Sequence, residues 1–146
     1  GGTGRAVIAS LLSEVKPANL SVAVRSERHR AWLNGLGVHP VPAGLNGVDL
    51  ASFGVVVNCT TVGWGDQANA SPLDYAQLSR LGGQCTVFDV VYQPDPTVLL
   101  QRAKARGLAT LSGTRMNLLQ AVIAFTTANR GADAASVAAA MKQAAG

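Results

Sequence analysis

The chain has 146 residues, 48% of them hydrophobic and 14% charged, with a formal net charge of +4 at pH 7. This composition excludes a disordered chain and is sufficient for one domain with a substantial core. Its apolar stretches are shorter than the roughly 20 residues of a membrane-spanning helix, it opens with no signal segment, and its basic residues are not interleaved with aromatic ones. We therefore expect a soluble, cytoplasmic protein that binds neither membranes nor nucleic acid.

The first fifty residues predict alternating helices and strands. A glycine-rich opening leads into a helix, and a strand, a second helix and a weak edge strand follow, each indicated by hydrophobic spacing and by Gly or Pro stop signals. In chain order these are a helix over 5–14, a strand over 20–24, a helix that includes 31–33 and ends near Gly35 or Gly37, and a strand over 39–42. Residues 44–52 are expected to form a loop or an irregular turn.

The rest of the chain continues the alternation with more strongly apolar strands. An apolar run at 54–59 is typical of a parallel strand covered on both faces. The elements after it are a loop over 60–65, a helix around 75–78, a strand over 85–91, a helix over 97–106, a strand over 109–111, a helix over 116–129, and a helix that Asp133 caps and that runs through Ala145. Such spacing forms parallel βαβ units with right-handed crossovers. We therefore predict an α/β fold, a doubly wound, Rossmann-like parallel sheet with C-terminal helices.

In such a sheet, ligands bind beside the loops that follow the carboxyl ends of the strands. The opening turn, which contains Gly1, Gly2 and Thr3, is of the kind that cradles a phosphate, because glycine lets a ligand approach the backbone and a helix N-terminus offers free N–H groups. No strand precedes this turn in the sequence. By itself the turn is therefore also consistent with a flexible terminal tail.

The segment after the strand over 20–24 bears on the choice of dinucleotide. Dinucleotide enzymes place there either an acidic residue for a free ribose 2′-hydroxyl or an arginine for a 2′-phosphate. Arg25 and Ser26 follow the strand directly, and Arg28 and Arg30 lie about one turn further on. This pattern favours NADP. Two alternatives stay open: Glu27 accepts from the ribose and the cofactor is NAD, or the arginines are only the solvated start of a helix.

A third loop, over 58–63, follows the apolar strand. In a dinucleotide-binding sheet it would lie beside the ribose and the nicotinamide. A plain transition from strand to loop is the alternative.

The two cysteines, Cys59 and Cys85, lie in strand segments without the spacing of a metal site. We expect buried, reduced thiols and no bound metal.

Three short motifs in the second half of the chain point to one enzyme family. They are Asn58-Cys59-Thr60-Thr61-Val62-Gly63, Phe88-Asp89-Val90-Val91-Tyr92-Gln93-Pro94, and Gly113 to Ala121 followed by Ala124-Phe125. In this order and at about these intervals they resemble the cofactor domain of the shikimate dehydrogenase family, and the resemblance spans nearly the whole chain. It implies an oxidoreductase of the shikimate pathway of aromatic amino acid biosynthesis, which reversibly reduces 3-dehydroshikimate to shikimate with NADPH. Close relatives oxidise quinate or shikimate with NAD or NADP.

The resemblance also implies which residues contact the ligands. The expected cofactor contacts are Gly1, Gly2 and Thr3 at the phosphates, Arg25, Ser26 and Arg30 at the 2′-phosphate, Thr60, Thr61 and Val62 beside the nicotinamide ribose, and Val90, Gly113 and Met116 at the nicotinamide. The expected substrate contacts are Tyr92 and Gln120, a phenol and an amide suited to a hydroxylated ring acid. The family's catalytic lysine and aspartate come from another domain, and no lysine of this chain lies in a matching context. We therefore expect no catalytic residue here, and cofactor binding without turnover by this chain alone.

Three positions depart from the family's pattern. Val24 replaces an asparagine before Arg25, Trp64 stands where a smaller methionine is common, and Arg115 replaces the second glycine of a Gly-Leu-Gly-Met turn. The first change bears on adenosine recognition, and the last bears on the close approach at the turn before Met116.

The resemblance further implies that residues 1–146 are an NADP-binding domain that is truncated at its N-terminus and lacks its first strand. That strand is central in a doubly wound sheet, and its absence leaves buried backbone groups unpaired at about 1–3 kcal/mol each. We therefore expect the parent protein to continue upstream with this strand and a substrate domain, and the lone chain to fold poorly.

Two other classes of protein stay open: a dinucleotide-binding module without turnover, and a different two-domain dehydrogenase such as a glutamyl-tRNA reductase relative. Tyr92 and Gln120 argue against the latter.

Overall fold

A computed structural model describes residues 1–145 of the chain, with the side chain of Ala145 excepted. The chain divides into two compact units. The N-terminal unit comprises Gly1–Leu50, and the C-terminal unit begins at Ala51. Within the described residues, no helix is both long and apolar enough to cross a membrane.

The N-terminal unit contains two helices and a two-stranded parallel sheet. Its elements are α1 (Gly2–Leu11), a 3₁₀ turn (Pro17–Asn19), β1 (Ser21–Val24), α2 (Glu27–Gly35) and β2 (His39–Pro42). The register pairs Ser21 with His39 and Val24 with Pro42. Ile8, Leu33 and Val38 form a buried cluster in this unit, and the partly buried residues packed against it are Leu12, Leu20, Val22, Val24 and Trp32.

The C-terminal unit contains a three-stranded parallel sheet in the order β3-β4-β5. Its elements are β3 (Val55–Asn58), α3 (Tyr75–Ser79), β4 (Thr86–Asp89), α4 (Val98–Ala105), β5 (Ala109–Ser112), α5 (Thr114–Ala128) and α6 (Ala134–Ala145). The register aligns the last residues of the three strands, because Asn58 pairs with Asp89 and Asp89 pairs with Ser112. The three loops that follow the strands therefore begin at one edge of the sheet.

Side chains alternate between the two faces of β4. Val87 and Asp89 are 0% exposed, whereas Phe88 is half-buried. Successive residues of a strand point to opposite faces, so Val87 and Asp89 share the more deeply buried face. Phe88 and its register partner Leu111, which is 46% exposed, share the other.

The structure confirms the predicted α/β architecture and its parallel strands. It also confirms the cap of the last helix, since Ser136 N–H donates to Asp133 Oδ2 at 2.7 Å. The boundaries differ by a few residues: the first helix begins at Gly2 and ends at Leu11, and the helix predicted from 116 begins at Thr114.

Two expectations about burial are only partly correct. β3 was expected to be covered on both faces, but Val55, its first residue, is 56% exposed. Cys85 is buried as expected, whereas Cys59 is half-buried, and both are free thiols. Desolvation raises the pKa of both thiols above the ordinary value, which keeps them protonated and weakly nucleophilic.

No strand within residues 1–145 pairs with the second edge of β1 or of β3. The described part of the chain therefore supplies no substitute for the central strand that a doubly wound sheet places between its two halves.

Gly113 is a position where packing requires glycine. A Cβ added there would lie 2.2 Å from the carbonyl oxygen of Val90, which is backbone and cannot rotate away.

We expect Gly113→Ala to lower the free energy of unfolding by at least about 2 kcal/mol, the upper part of the range for overpacked sites. Gly83→Ala is the control, because a Cβ there meets no atom within 4 Å. Urea denaturation of both variants measures the difference, and equal midpoints would contradict the close approach.

Candidate functional site

The predicted nicotinamide and substrate residues lie together at the carboxyl edge of the C-terminal sheet. Residues 60–62 follow β3, residues 90–92 follow β4, and Gly113 lies between β5 and α5. Because β3, β4 and β5 are parallel and aligned at their last residues, these loops are neighbours. Parallel α/β sheets bind their ligands at such an edge.

A buried carboxylate connects the segments that follow β3 and β4. Asp89 is 0% exposed, and its Oδ1 accepts hydrogen bonds from Asn58 Nδ2 at 2.9 Å and from Val91 N–H at 3.0 Å. Its Oδ2 accepts from Thr97 Oγ1 at 2.7 Å. Thr97 is the N-cap of α4, and its hydroxyl also accepts from Leu100 N–H at 3.4 Å. One side chain therefore holds the end of β3, the backbone after β4 and the start of α4.

Asn58 extends this network into the loop over 60–62. Its Oδ1 accepts from both the N–H (3.0 Å) and the hydroxyl (2.7 Å) of Thr60, and its Nδ2 also donates to the carbonyl of Val62 at 3.0 Å. The Thr60 hydroxyl accepts in turn from Val62 N–H at 3.1 Å. Both threonines are exposed, and the Thr60 hydroxyl is used in hydrogen bonds that shape the loop.

Gly63 completes this loop in a conformation that favours glycine. Its φ is +105°, and a Cβ there would lie 3.7 Å from the side chain of Thr97. The loop after β3 is therefore packed against the residue that binds Asp89 Oδ2.

The environment of Asp89 changes its acidity. Desolvation raises the pKa of this carboxyl above the ordinary value of 3.8, and the hydrogen bonds from Thr97, Val91 and Asn58 oppose that rise. Burial disfavours the charged form, and donors stabilise it. The three donors are what makes a carboxylate tolerable at this position.

Gly113 and Val90, both expected at the nicotinamide, lie against each other. The Val90 carbonyl occupies the space where a side chain at position 113 would lie. The close approach at this turn is therefore made by Gly113. Arg115, which replaces the family's second glycine, is exposed in the first turn of α5 and leaves that approach intact.

A groove of about 340 Å³ lies between the partly exposed face of the sheet and α5. It is lined mainly by Phe88 and Leu111 from the strands and by Met116, Leu119, Gln120 and Ile123 from α5. Met116 and Gln120 are four residues apart and lie on one face of the helix. Tyr92, the second expected substrate contact, is 45% exposed in the loop after β4.

The remaining predicted cofactor residues lie in the N-terminal unit. Gly1 is the N-cap of α1, Gly2 and Thr3 begin the helix, and all three are exposed. A Cβ at Gly1 or Gly2 would meet no atom within 4 Å. Packing within the described residues therefore requires glycine at neither position.

The segment after β1 forms the start of α2. Ser26 is the N-cap, and its Oγ accepts from His29 N–H at 3.4 Å. Arg25 is exposed beside this helix N-terminus, whereas Arg30 is partly committed to an ion pair with Glu27, at 3.2 Å between Nε and Oε1. The structure thus places Arg25 and Ser26 together and gives Glu27 and Arg30 each other as partners.

Three polar residues of the site were not identified from the sequence. Asp89 and Thr97 belong to the buried network, and Asp95 accepts from Ser112 at the end of β5 and from Thr114 at the start of α5. A carboxylate at the end of an apolar strand and a threonine before a helix are recognisable signals. Their pairing is not, because it depends on contacts between distant segments.

The raised pKa of Asp89 predicts how its contribution to stability depends on pH. The unfolded chain releases this proton at the ordinary value of 3.8 and the folded chain at a higher pH, so the folded state binds more protons between those two values and stability falls as pH rises through this window. The quantity to measure is the free energy of unfolding of the wild type minus that of Asp89→Asn. We expect this difference to decrease as the pH rises from below 3.8 to the raised pKa of Asp89, and to stay constant above it. Chemical denaturation across that range measures the difference. A difference that grows with pH would show that the donors outweigh burial.

The sequence of this chain is similar to those of known dehydrogenases. No protein-family model matches the chain. Among curated proteins, the chain is 33% identical over 133 residues to the shikimate dehydrogenase (NADP(+)) of Bacillus licheniformis, a match that covers 86% of the chain and 45% of that protein. It is 41% identical over 131 residues to the enzyme of the same name from Azorhizobium caulinodans, which covers 86% of the chain and 44% of that protein.

Solved structures agree with the sequence matches. Quinate dehydrogenase from Corynebacterium glutamicum in complex with NAD matches with a TM-score of 0.78 and 31% identity, over 98% of this chain and 52% of that one. Shikimate 5-dehydrogenase from Thermus thermophilus in complex with NADP(H) and shikimate matches with a TM-score of 0.74 and 28% identity, over 99% and 52%. The chain thus spans about half the length of these relatives, and the matched segment is their C-terminal region. These matches confirm the resemblance drawn from the three motifs: the chain is similar to the C-terminal region of shikimate and quinate dehydrogenases.

Proposed function

We propose that this chain is the NADP-binding domain of a dehydrogenase that reversibly reduces 3-dehydroshikimate to shikimate with NADPH. The observation that carries the proposal is the gathering of Thr61, Val90, Tyr92 and Gly113 at one carboxyl edge, beside a groove that Gln120 lines. The names of the relatives support the chemistry, because these proteins are shikimate or quinate dehydrogenases. The alternatives are a quinate or shikimate dehydrogenase that uses NAD, and a dinucleotide-binding module without turnover.

The residues of the N-terminal unit fit a dinucleotide that carries a 2′-phosphate. The exposed Arg25 guanidinium can form charge-assisted hydrogen bonds to a phosphate, and the Ser26 hydroxyl, which accepts from His29 N–H, retains its own proton to donate. Glu27, the residue that would favour NAD, is paired with Arg30. At α1, the open backbone of Gly1 and Gly2 suits the diphosphate.

The residues of the C-terminal unit fit the nicotinamide end and a hydroxylated ring acid. The network around Asn58 holds the loop that presents Thr61, and the groove places Met116 and Gln120 on one face of α5. Tyr92 and Gln120 offer hydroxyl and amide groups that can donate to and accept from the hydroxyls of such a substrate. NADPH, when bound, supplies the hydride.

The proton transfer at the reacting oxygen is assigned to residues outside this chain. The resemblance to the shikimate dehydrogenase family implies that the catalytic lysine and aspartate belong to a substrate domain. The curated relatives are more than twice as long as the matched region. We therefore propose that residues 1–146 bind the cofactor and contribute Tyr92 and Gln120, while the missing domain supplies general acid–base chemistry.

Arg25→Ala tests the preference for NADP. Hydrogen bonds to a charged group contribute about 1.5–3 kcal/mol, so we expect the variant to bind NADP about tenfold to a hundredfold more weakly and to bind NAD with nearly unchanged affinity. Arg28→Ala is the control, since it removes the same charge from an exposed position in the first turn of α2. Fluorescence titration of NADPH and NADH into each variant measures both affinities. An equal loss for the two cofactors would contradict a role at the 2′-phosphate.

Tyr92→Phe tests the substrate role against the module without turnover. In the full-length gene product, loss of one neutral hydrogen bond is expected to raise the KM for shikimate by about two- to tenfold and to leave the KM for NADP unchanged. Initial rates with varied shikimate and varied NADP measure both constants, and quinate in place of shikimate distinguishes the two substrates. If NADP binds but neither ring acid produces turnover or a binding response, the module is favoured and the dehydrogenase is excluded.

A further inference from the structure

Asp95 lies in the loop between β4 and α4, three residues after Tyr92. One oxygen of its carboxylate, Oδ2, accepts hydrogen bonds from Ser112 Oγ at 2.8 Å and from Thr114 Oγ1 at 2.7 Å. Ser112 is the last residue of β5, and Thr114 is the first residue of α5. One carboxylate therefore joins the loop that carries Tyr92 to the helix that carries Gln120.

Asp95 Oδ2 is the acceptor that the Ser112 and Thr114 hydroxyls share. The hydroxyl oxygens of Ser112 and Thr114 are 2.9 Å apart, and each hydroxyl has one proton to donate. When both protons are donated to Asp95, none remains for a bond between the hydroxyls, and Ser112 Oγ accepts from Thr114 N–H at 3.2 Å instead. Both hydroxyls therefore donate to one oxygen of Asp95, which joins Ser112 to Thr114.

The start of α5 benefits from this carboxylate. The first turn of α5 contains no acidic residue, and its N-cap, Gly113, forms no side-chain capping bond. A negative charge near a helix N-terminus is stabilising, and here it comes from Asp95, about twenty residues earlier in the chain. The contact of Gly113 with the Val90 carbonyl holds the same two segments together on the backbone side.

We propose that Asp95 is a positioning residue for the substrate. It holds the Tyr92 loop against the start of α5 and so sets the spacing between the Tyr92 phenol and the Gln120 amide, without touching the substrate itself. This inference rests on the proposed function, because it assigns Asp95 to the two residues that are proposed to contact a hydroxylated ring acid.

The kinetic test uses the full-length gene product with shikimate and NADP. Asp95→Ala removes the shared acceptor, and Thr114→Val removes one donor with little change in shape. We expect each to raise the KM for shikimate by about three- to tenfold, with the KM for NADP unchanged. Asp95→Asn keeps one carbonyl oxygen as an acceptor and is expected to restore most of the substrate affinity. Asp133→Asn is the control, because it removes an equal charge at the start of α6 and is expected to change neither constant.

A second readout is independent of turnover. The chain contains two tyrosines, Tyr75 and Tyr92, and fluorotyrosine labelling with Tyr92→Phe identifies the fluorine resonance of Tyr92. Asp95→Ala is expected to shift or broaden this resonance, and Asp133→Asn is expected to leave it unchanged.

The outcomes separate this inference from the proposed function. If Tyr92→Phe raises the KM for shikimate but Asp95→Ala changes neither that KM nor the Tyr92 resonance, the positioning role is wrong and the proposed function stands. If Asp95→Ala lowers kcat at an unchanged KM, the role is likewise wrong, because Asp95 then acts on the chemical step. If the wild-type protein turns over neither shikimate nor quinate, the proposed function fails, and the resonance decides whether Asp95 positions Tyr92.

Discussion

The buried carboxylate of Asp89 is the interaction on which the C-terminal unit depends. A carboxylate without solvent is tolerated only when its oxygens are hydrogen-bonded, and here Asn58, Val91 and Thr97 supply those bonds. The dependence is mutual, because removing one partner of a buried polar group leaves the other unsatisfied. The end of β3, the backbone after β4 and the start of α4 are therefore stabilised as one cluster, and the loops that carry the candidate ligand contacts extend from it.

Parallel topology explains why so many candidate residues of the C-terminal unit lie at one edge. Each strand ends at the same level, so the loops after β3, β4 and β5 meet although their residues are far apart in the sequence. The N-terminal unit follows the same logic on a smaller scale: the segment after β1 becomes the start of α2, with Arg25 exposed beside the helix N-terminus. Candidate residues for the phosphates thus belong to the N-terminal unit, and those for the nicotinamide and the substrate belong to the C-terminal unit.

The turn before α5 shows how a departure from a family pattern can be accommodated. Position 113 must be glycine because the Val90 carbonyl occupies the side-chain space. Position 114 is the first residue of the helix, where the Thr114 hydroxyl binds Asp95. Position 115 is exposed, so an arginine is tolerated there without any change in the close approach. The sequence alone left open whether Arg115 affects the close approach at this turn, because it does not show which of the three positions faces the neighbouring strand.

The sequence by itself determined the α/β class, the order of the elements and the relationship to a known family, because these depend on hydrophobic period, caps and short motifs. The cap by Asp133 is an example, since it involves residues three positions apart. Only the tertiary structure decided the partners of Asp89, the neighbour of Gly113 and the contact of Asp95 with the start of α5. Asn58 and Asp89 are 31 residues apart, and Asp95 and Thr114 are 19 apart. Such pairs form only when strands align in register and helices pack on them, and no local pattern in the chain records that alignment.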